Sequence, residues 1–289
     1  MELRAALVPR QAFETRRGDR PLPAIFQALW CCGTLDGLLR PTVAIVGTRA
    51  ATAYGRGLAR RFASELGAAG CCILSGLALG IDAIAHEGAL AGGAPSIGVL
   101  GGGHSQFFPR RNRGLAERLI EAGGAVLSPY PPDEPARPGQ FLQRNGIVAA
   151  LADAVVVIEA PARSGALNTA GWAAGRIPVL AVPGDVDRPQ SAGCLALIRD
   201  GVTLARDPAD VLAELPLSAA QLPLAAPPRE RADALERAIV RSLGDGERSL
   251  DAIVDACSEP VARVTAALTL LEIDGTVQRR DGVCFALIR

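Results

Sequence analysis

The sequence has no lysine, two histidines and one methionine, and aromatic residues make up only 4% of it. Without lysine, all 30 positive charges are arginines, each permanently charged and able to grip phosphate with two parallel donors. A GC-rich coding sequence explains that bias equally well. Net charge is also lacking, because 30 aspartates and glutamates balance the arginines. That balance excludes a global electrostatic pull toward DNA or a membrane, so any nucleic-acid site must be local. No pair of cysteines has CxxC spacing: the seven fall at Cys31, Cys32, Cys71, Cys72, Cys194, Cys257 and Cys284. A zinc or redox site is therefore not expected. Neighbouring residues of a strand point to opposite faces, so Cys71 and Cys72 cannot readily share a ligand. Buried reduced thiols, and with them a cytoplasmic home, are the expectation. The start, MELRAALVPR, lacks the apolar core of a signal peptide. No segment approaches the roughly 20 apolar residues of a membrane span, and no membrane partner, metal or cofactor is expected.

What is present is 49% hydrophobic residues and 32 glycines in 289, enough for one sizeable α/β core and a second, smaller one. From Val43 onward short β-branched runs alternate with Ala/Leu-rich stretches, the pattern of a Rossmann-like parallel sheet with helices on both faces. Strands are expected over Val43–Val46, Cys71–Leu74, Ile97–Leu100, Ala125–Leu127, Val155–Ile158 and Pro178–Val182. Leu58, Phe62 and Leu66 repeat every four residues and give a helix one apolar stripe. Residues 1–40 form a short N-terminal extension and 41–215 the Rossmann-like domain. Residues 216–229, PLSAAQLPLAAPPR, are rich in proline and alanine and read as a linker. Residues 230–289 then offer three helices, Arg231–Leu243, Ser249–Ala256 and Pro260–Ile273. A hairpin of Thr276–Arg280 and Val283–Ile288 completes a small winged-helix domain.

Most of the expected strands end in small or polar residues, and in open α/β sheets such loops meet at one functional edge. The first loop, VAIVGTRAATAYG, matches neither dinucleotide nor triphosphate fingerprint. Gly47 allows close backbone approach, Thr48 offers a hydroxyl and Arg49 a fork for phosphate, although an ordinary turn with a surface arginine fits as well. The second loop, SGLALGIDAIAHEGAL, sets Ser75 and Gly76 at a strand end. Asp82 and His86 follow on one helical face, where a structural role is favoured because no third metal ligand accompanies them. In GVLGGGHSQFFPRRNRGL, Phe107 and Phe108 precede Arg110, Arg111, Asn112 and Arg113. Rings beside arginines suit stacked bases and tracked phosphates, and equally an anchored loop with solvated arginines. In FLQRNGIVAALADAVVVIEAPARSGALNTA, Arg144 and Asn145 open one helix, and Ser164 and Gly165 begin the next with amides free for an anion.

Taken in order and spacing, VAIVGTRAATAYG, SGLALGIDAIAHEGAL, FPRRNRGL, RNGIVAALAD, SGALNTA and AVPGD resemble the DNA-processing protein A (DprA/Smf) family. The similarity covers roughly residues 20 to 212, and an ordered string of motifs is more specific than any one of them. It implies a cytoplasmic bacterial homodimer that is not an enzyme. Such a protein binds single-stranded DNA without sequence preference and loads a RecA-type recombinase during natural transformation. The family's phosphate pocket would map onto Gly47, Thr48, Arg49, Ser75, Gly76, Arg144, Asn145, Ser164 and Gly165, with Arg110, Arg111 and Asn112 beside it. The dimer helix would lie near Leu197 and Ile198.

Three departures each remove a charge near that pocket: Gly146 stands for the family's second arginine after RN, Leu79 for a basic residue, and Pro129 for an acidic one. From Glu230 to Arg289 eight arginines face eleven acids, a balance of minus three. A DNA-reading winged helix carries a basic face, so this module is expected to contact protein, or its own Rossmann-like domain, more than DNA. Two other readings compete. One is a nucleotide-processing Rossmann enzyme like the LOG phosphoribohydrolases, whose PGGxGTxxE motif is absent and for which Glu159 is the sole candidate carboxylate. The other is a nucleotide-sensing regulator that reads duplex DNA.

Overall fold

Side chains on successive residues of a strand face opposite ways, so a strand that is apolar throughout must be covered on both sides. That is the state of residues 42–46, all five of which are buried. A computed structural model describes residues 3–20, 22–215, 234–244, 246–273, 276–280 and 284–287. The chain divides into two units, Met1–Pro223 and Leu224–Arg289.

The first unit runs β1 (Ala6–Pro9), α1 (Arg10–Arg17), β2 (Ala28–Gly33), β3 (Thr42–Val46), α2 (Ala53–Ala68), β4 (Cys72–Ser75), α3 (Ile81–Ala91), β5 (Ser96–Val99), α4 (Arg113–Glu121) and β6 (Ala125–Ser128). It continues through α5 (Pro138–Leu151), β7 (Ala154–Val157), α6 (Gly165–Ala173), β8 (Val179–Ala181), α7 (Ala192–Arg199), β9 (Thr203–Leu204) and α8 (Pro208–Glu214). The strands form one nine-stranded sheet in the order β1-β2-β6-β5-β4-β3-β7-β8-β9. It is parallel from β6 to β9, while β1 and β2 run antiparallel to their neighbours.

Alternation sorts the core into two layers. Val43, Ile45, Ile73 and Val156 meet Phe62 and Leu66 of α2 and Ile84 of α3. Ala44, Val46, Leu74 and Val157 meet Val148 of α5, Ala170 of α6 and Cys194 of α7. Cys71 and Cys72 fall in different layers, as their adjacency requires. Five of the seven cysteines are buried, and Cys257 and Cys284 are half-buried. Burial pushes the thiols of Cys31, Cys71 and Cys194 up to about 12, which leaves them inert at neutral pH.

All six expected strands are present with ends shifted by at most one residue, as helix and strand ends commonly are. β1, β2 and β9 were not expected. β1 ends in proline, β2 (ALWCCG) has no β-branched residue, and β9 is two residues long, so none carries a strong strand signal. The N-terminal segment is locked to the sheet by Arg17, which is buried and reaches Asp153 at 2.8 Å, while Arg20 reaches the same carboxylate at 2.7 Å. The Asp153 carboxylate also accepts from the Thr42 amide at 2.8 Å.

The second unit holds α9 (Ala234–Leu243), β10 (Arg248–Ser249), α10 (Leu250–Cys257), α11 (Val261–Ile273), β11 (Val277–Arg280) and β12 (Cys284–Leu287). Leu235, Ile239 and Leu243 recur every four residues on α9 and pack with Ile253, Val264, Leu268 and Phe285. β11 and β12 pair as the expected antiparallel hairpin, and β10 adds an unexpected third strand in the order β10-β12-β11. Three helices and this small sheet make a winged helix. The linker expected at 216–229 and the turns Asp274-Gly275 and Asp281-Gly282 lie outside the described residues.

Candidate nucleic-acid interface

β3 is flanked by β4 on one side and β7 on the other, and the chain builds outward from it in both directions. Such a switch point opens a crevice beyond the carboxyl ends of the strands. A cavity of about 660 Å³ lies there, walled by Gly47, Thr48 and Arg49 after β3, by α5, and by Arg163, Ser164 and Gly165 at the start of α6.

Each wall has a local cause. Gly47 is required for packing, since a Cβ there would lie 2.6 Å from Ile81 and 2.8 Å from the Glu159 carbonyl. Thr52 caps α2: its hydroxyl accepts from the Gly55 amide at 3.1 Å and donates to the Glu159 carboxylate. The same carboxylate accepts from the Thr52 amide at 3.0 Å, so Glu159 is spent on holding the loop that carries Arg49. Ser164 caps α6 by accepting from Ala166 at 3.2 Å, which aims the positive end of that helix at the cavity.

Arg144 is the least solvated charge of the site, 4% exposed. Its guanidinium lies 3.9 Å from the Asp82 carboxylate, and its Nε has no hydrogen-bond partner among the described residues. Burial lowers its pKa, the nearby Asp82 raises it and Arg49 lowers it. A guanidinium stays charged through such shifts, so the cavity floor presents an under-compensated cation. Asp82 shares itself among Arg144 and the amides of Gly76 at 3.1 Å and Ala78 at 3.4 Å. It is the one acidic residue on the cavity wall among the described residues. The wall opposite is aromatic: Arg49 stacks 5.4 Å from the ring centre of Phe141, and Phe108, 53% exposed, lies 6.0 Å from the same ring.

The structure brings Gly47, Thr48, Arg49, Arg144, Asn145, Ser164 and Gly165 to one cavity. Three other expected ligands sit behind it. Ser75 is fully buried and donates to the Ile45 carbonyl at 2.7 Å, tying β4 to β3. A Cβ on Gly76 would lie 1.2 Å from an Arg144 nitrogen, so this glycine makes room for the guanidinium. Asn112 is buried and donates to the Leu77 carbonyl at 2.9 Å and the Ala78 carbonyl at 3.0 Å. It thereby pins Leu77 at φ +53°, a left-handed backbone that costs a branched residue about 1–2 kcal/mol. Asn145 reaches the cavity wall but spends its amide nitrogen on the Gly165 carbonyl at 3.0 Å, joining α5 to α6. Arg110 is exposed and lines no wall of this cavity, and Arg111 borders a neighbouring one.

Phe107 is core and Phe108 lines the cavity, so the adjacent rings lie in different surroundings. His86 is likewise core: the Ser96 hydroxyl donates to Ile73, so His86 Nδ1 must be the donor in the 2.8 Å contact with Ser96. Phe141 and Arg163 were missed. Arg163 directly precedes the helix-capping Ser164, and Phe141 stands three residues before Arg144, which puts both beside groups the sequence does single out. No group of three or more His, Cys, Asp or Glu side chains is placed to hold a metal ion among the described residues. No helix of the described residues is long and apolar enough to cross a membrane.

The profile described as DNA recombination-mediator protein A matches residues 20–216, and that of the DprA winged helix domain matches residues 223–283. Protein Smf of Escherichia coli (strain K12) is 36% identical over 263 residues, 88% of this chain and 70% of that protein. The crystal structure of DNA processing protein A from Streptococcus pneumoniae superposes with a TM-score of 0.65 at 34% identity, covering 75% of this chain and 77% of that one. DNA processing protein A from Helicobacter pylori, a structure concerned with its single-stranded DNA binding mode, gives a TM-score of 0.62 at 28% identity over 74% of this chain and 97% of that one. The chain belongs to the DNA recombination-mediator protein A family, with the family's Rossmann-like sheet and winged helix.

Proposed function

We propose that this protein binds single-stranded DNA without sequence preference in the furrow at the switch point, as a homodimer, and hands the strand to a RecA-type recombinase. The observation that carries the reading is the buried, under-compensated Arg144 guanidinium facing a cavity that also holds Arg49 and the start of α6. A phosphate there replaces water with charge-assisted donors on three sides. The exposed Phe108, beside the half-buried Phe141, offers a stacking surface that every base can use. Phosphate contacts and stacking carry little sequence information, so strands of different composition bind alike. Single-stranded DNA binding in the H. pylori relative agrees with this assignment.

Hand-over to a recombinase rests on family membership. Dimerisation draws on family resemblance and on Leu197 and Ile198 of α7, both half-buried against the core near the sheet's terminal strand β9. The winged helix is assigned to protein contacts on its local charge balance of minus three; Arg263, the one arginine of α11, already has an acidic neighbour in Glu259 at 3.0 Å. A hydrolase reading requires a carboxylate free to act on a ribose. Glu159 is committed to Thr52, and Asp82 to two amides and Arg144, so binding without catalysis is the better reading.

Titrating a labelled oligonucleotide across salt concentrations tests the furrow. Affinity falls with log salt by about 0.7 per neutralised phosphate, and Arg49→Ala and Arg144→Ala each flatten that slope. Unchanged slopes in both variants place the site elsewhere.

A further inference from the structure

On the far side of Arg49 lies a second concavity of about 420 Å³ that the furrow does not use. Arg49 lines both, and Gly80, at φ +79°, packs against its backbone. A Cβ there would lie 2.3 Å from the Thr48 carbonyl and 2.6 Å from that of Arg49, so only glycine lets the β4–α3 loop lie flat on the β3–α2 loop. Leu79, the residue before Gly80 and 40% exposed, lines the concavity together with Arg49. Leu79, Ala83 and Ile84 form an apolar floor, and Arg49, Arg56 and Arg111 form the rim. The acidic residue on this wall, Glu87, lies 3.7 Å from Arg60 outside it. Three cations over an apolar floor, next to a furrow that ends on one of the same three cations, match the chemistry of a continuing nucleotide chain: base inward, phosphates on the rim.

We propose that this concavity is a second single-strand subsite, in which Arg56 and Arg111 hold the phosphates that follow Arg49 while a base rests on Leu79. The inference depends on the furrow reading and extends it.

The test uses the full chain and fluorescein-labelled oligo(dT) of roughly four and roughly twelve nucleotides, lengths spanning the range of small single-strand sites. Arg56→Ala with Arg111→Ala weakens the longer strand at least about fivefold at low salt and flattens its log–log salt slope by about 1.4, two phosphates at about 0.7 each. Binding of the shorter strand, which the furrow alone accommodates, stays within about twofold of wild type. Arg118→Ala, another exposed arginine outside the concavity, leaves the slope unchanged. An unaltered slope on the longer strand in the double variant overturns the subsite. So does equal weakening at both lengths, or equal flattening by Arg118→Ala, since either reports the furrow or overall charge. If Arg144→Ala weakens both lengths while the double variant changes neither, the furrow stands and the subsite falls. If the wild type binds neither length, both readings fall.

Discussion

The carboxylate of Asp82 lies 3.9 Å from the guanidinium of Arg144, with both side chains nearly out of water, and Asp82 meets two backbone amides at closer range than its cation. The pair is thus stretched: Asp82 lowers the cost of burying Arg144 without occupying it. Replacing Asp82 with Asn keeps the shape and removes the compensation. Breaking a buried pair costs about 3–5 kcal/mol, so Asp82→Asn is destabilised by that order in urea unfolding, while its low-salt affinity for single-stranded DNA does not fall. A variant of native stability would show that the pair contributes nothing to holding Arg144.

Gly76 serves Arg144 by having no side chain. In Gly76→Ala the new methyl would sit 1.2 Å from a guanidinium nitrogen, and the arginine must leave its seat. Loss of single-strand affinity comparable to that of Arg144→Ala, about tenfold or 1.4 kcal/mol, is expected in an anisotropy titration. Full affinity in Gly76→Ala would mean that the buried position of the guanidinium does not matter for binding.

His86 makes stability depend on pH. Burial pulls its pKa from 6.5 down to about 3, so between these values the unfolded chain takes up a proton that the folded chain refuses. The stabilising term is complete above pH 6.5 and is lost as pH falls, by up to about 1.4 kcal/mol per unit. Urea midpoints at pH 7 and pH 5 measure it, and His86→Gln shows a shallower decline than wild type. Parallel declines would assign the pH dependence to other groups.

The winged helix is a weak candidate for the strand itself. Removing residues 216–289 changes single-strand affinity less than about tenfold, or 1.4 kcal/mol, in a gel shift. A larger loss would return DNA binding to that domain.

Much of this site is legible in the sequence because its parts are local. Small residues at strand ends mark the β3–α2 and α6 loops, and Arg144-Asn145 stands just before an apolar helical run, although α5 opens earlier, at Pro138, and buries both side chains. What is not legible is which atoms face the cavity. Ser75, Gly76 and Asn112 have the chemistry of phosphate ligands, yet each serves a neighbour: Ser75 a strand, Gly76 the Arg144 guanidinium, Asn112 a left-handed Leu77. The reach of Arg17 to Asp153, 136 positions along the chain, depends on tertiary placement and has no local signal, which is why the N-terminal strands read as an extension. Phe107 and Phe108 are indistinguishable by type, and only the loop's path puts one in the core and the other at the furrow.

The most direct test of the central claim is a titration of wild type and Arg49→Ala with one oligonucleotide, offered as a single strand and as its duplex. The account predicts that wild type prefers the single strand and that Arg49→Ala loses about tenfold on it, roughly 1.4 kcal/mol. Equal binding of strand and duplex, or an unchanged single-strand isotherm in Arg49→Ala, would contradict it.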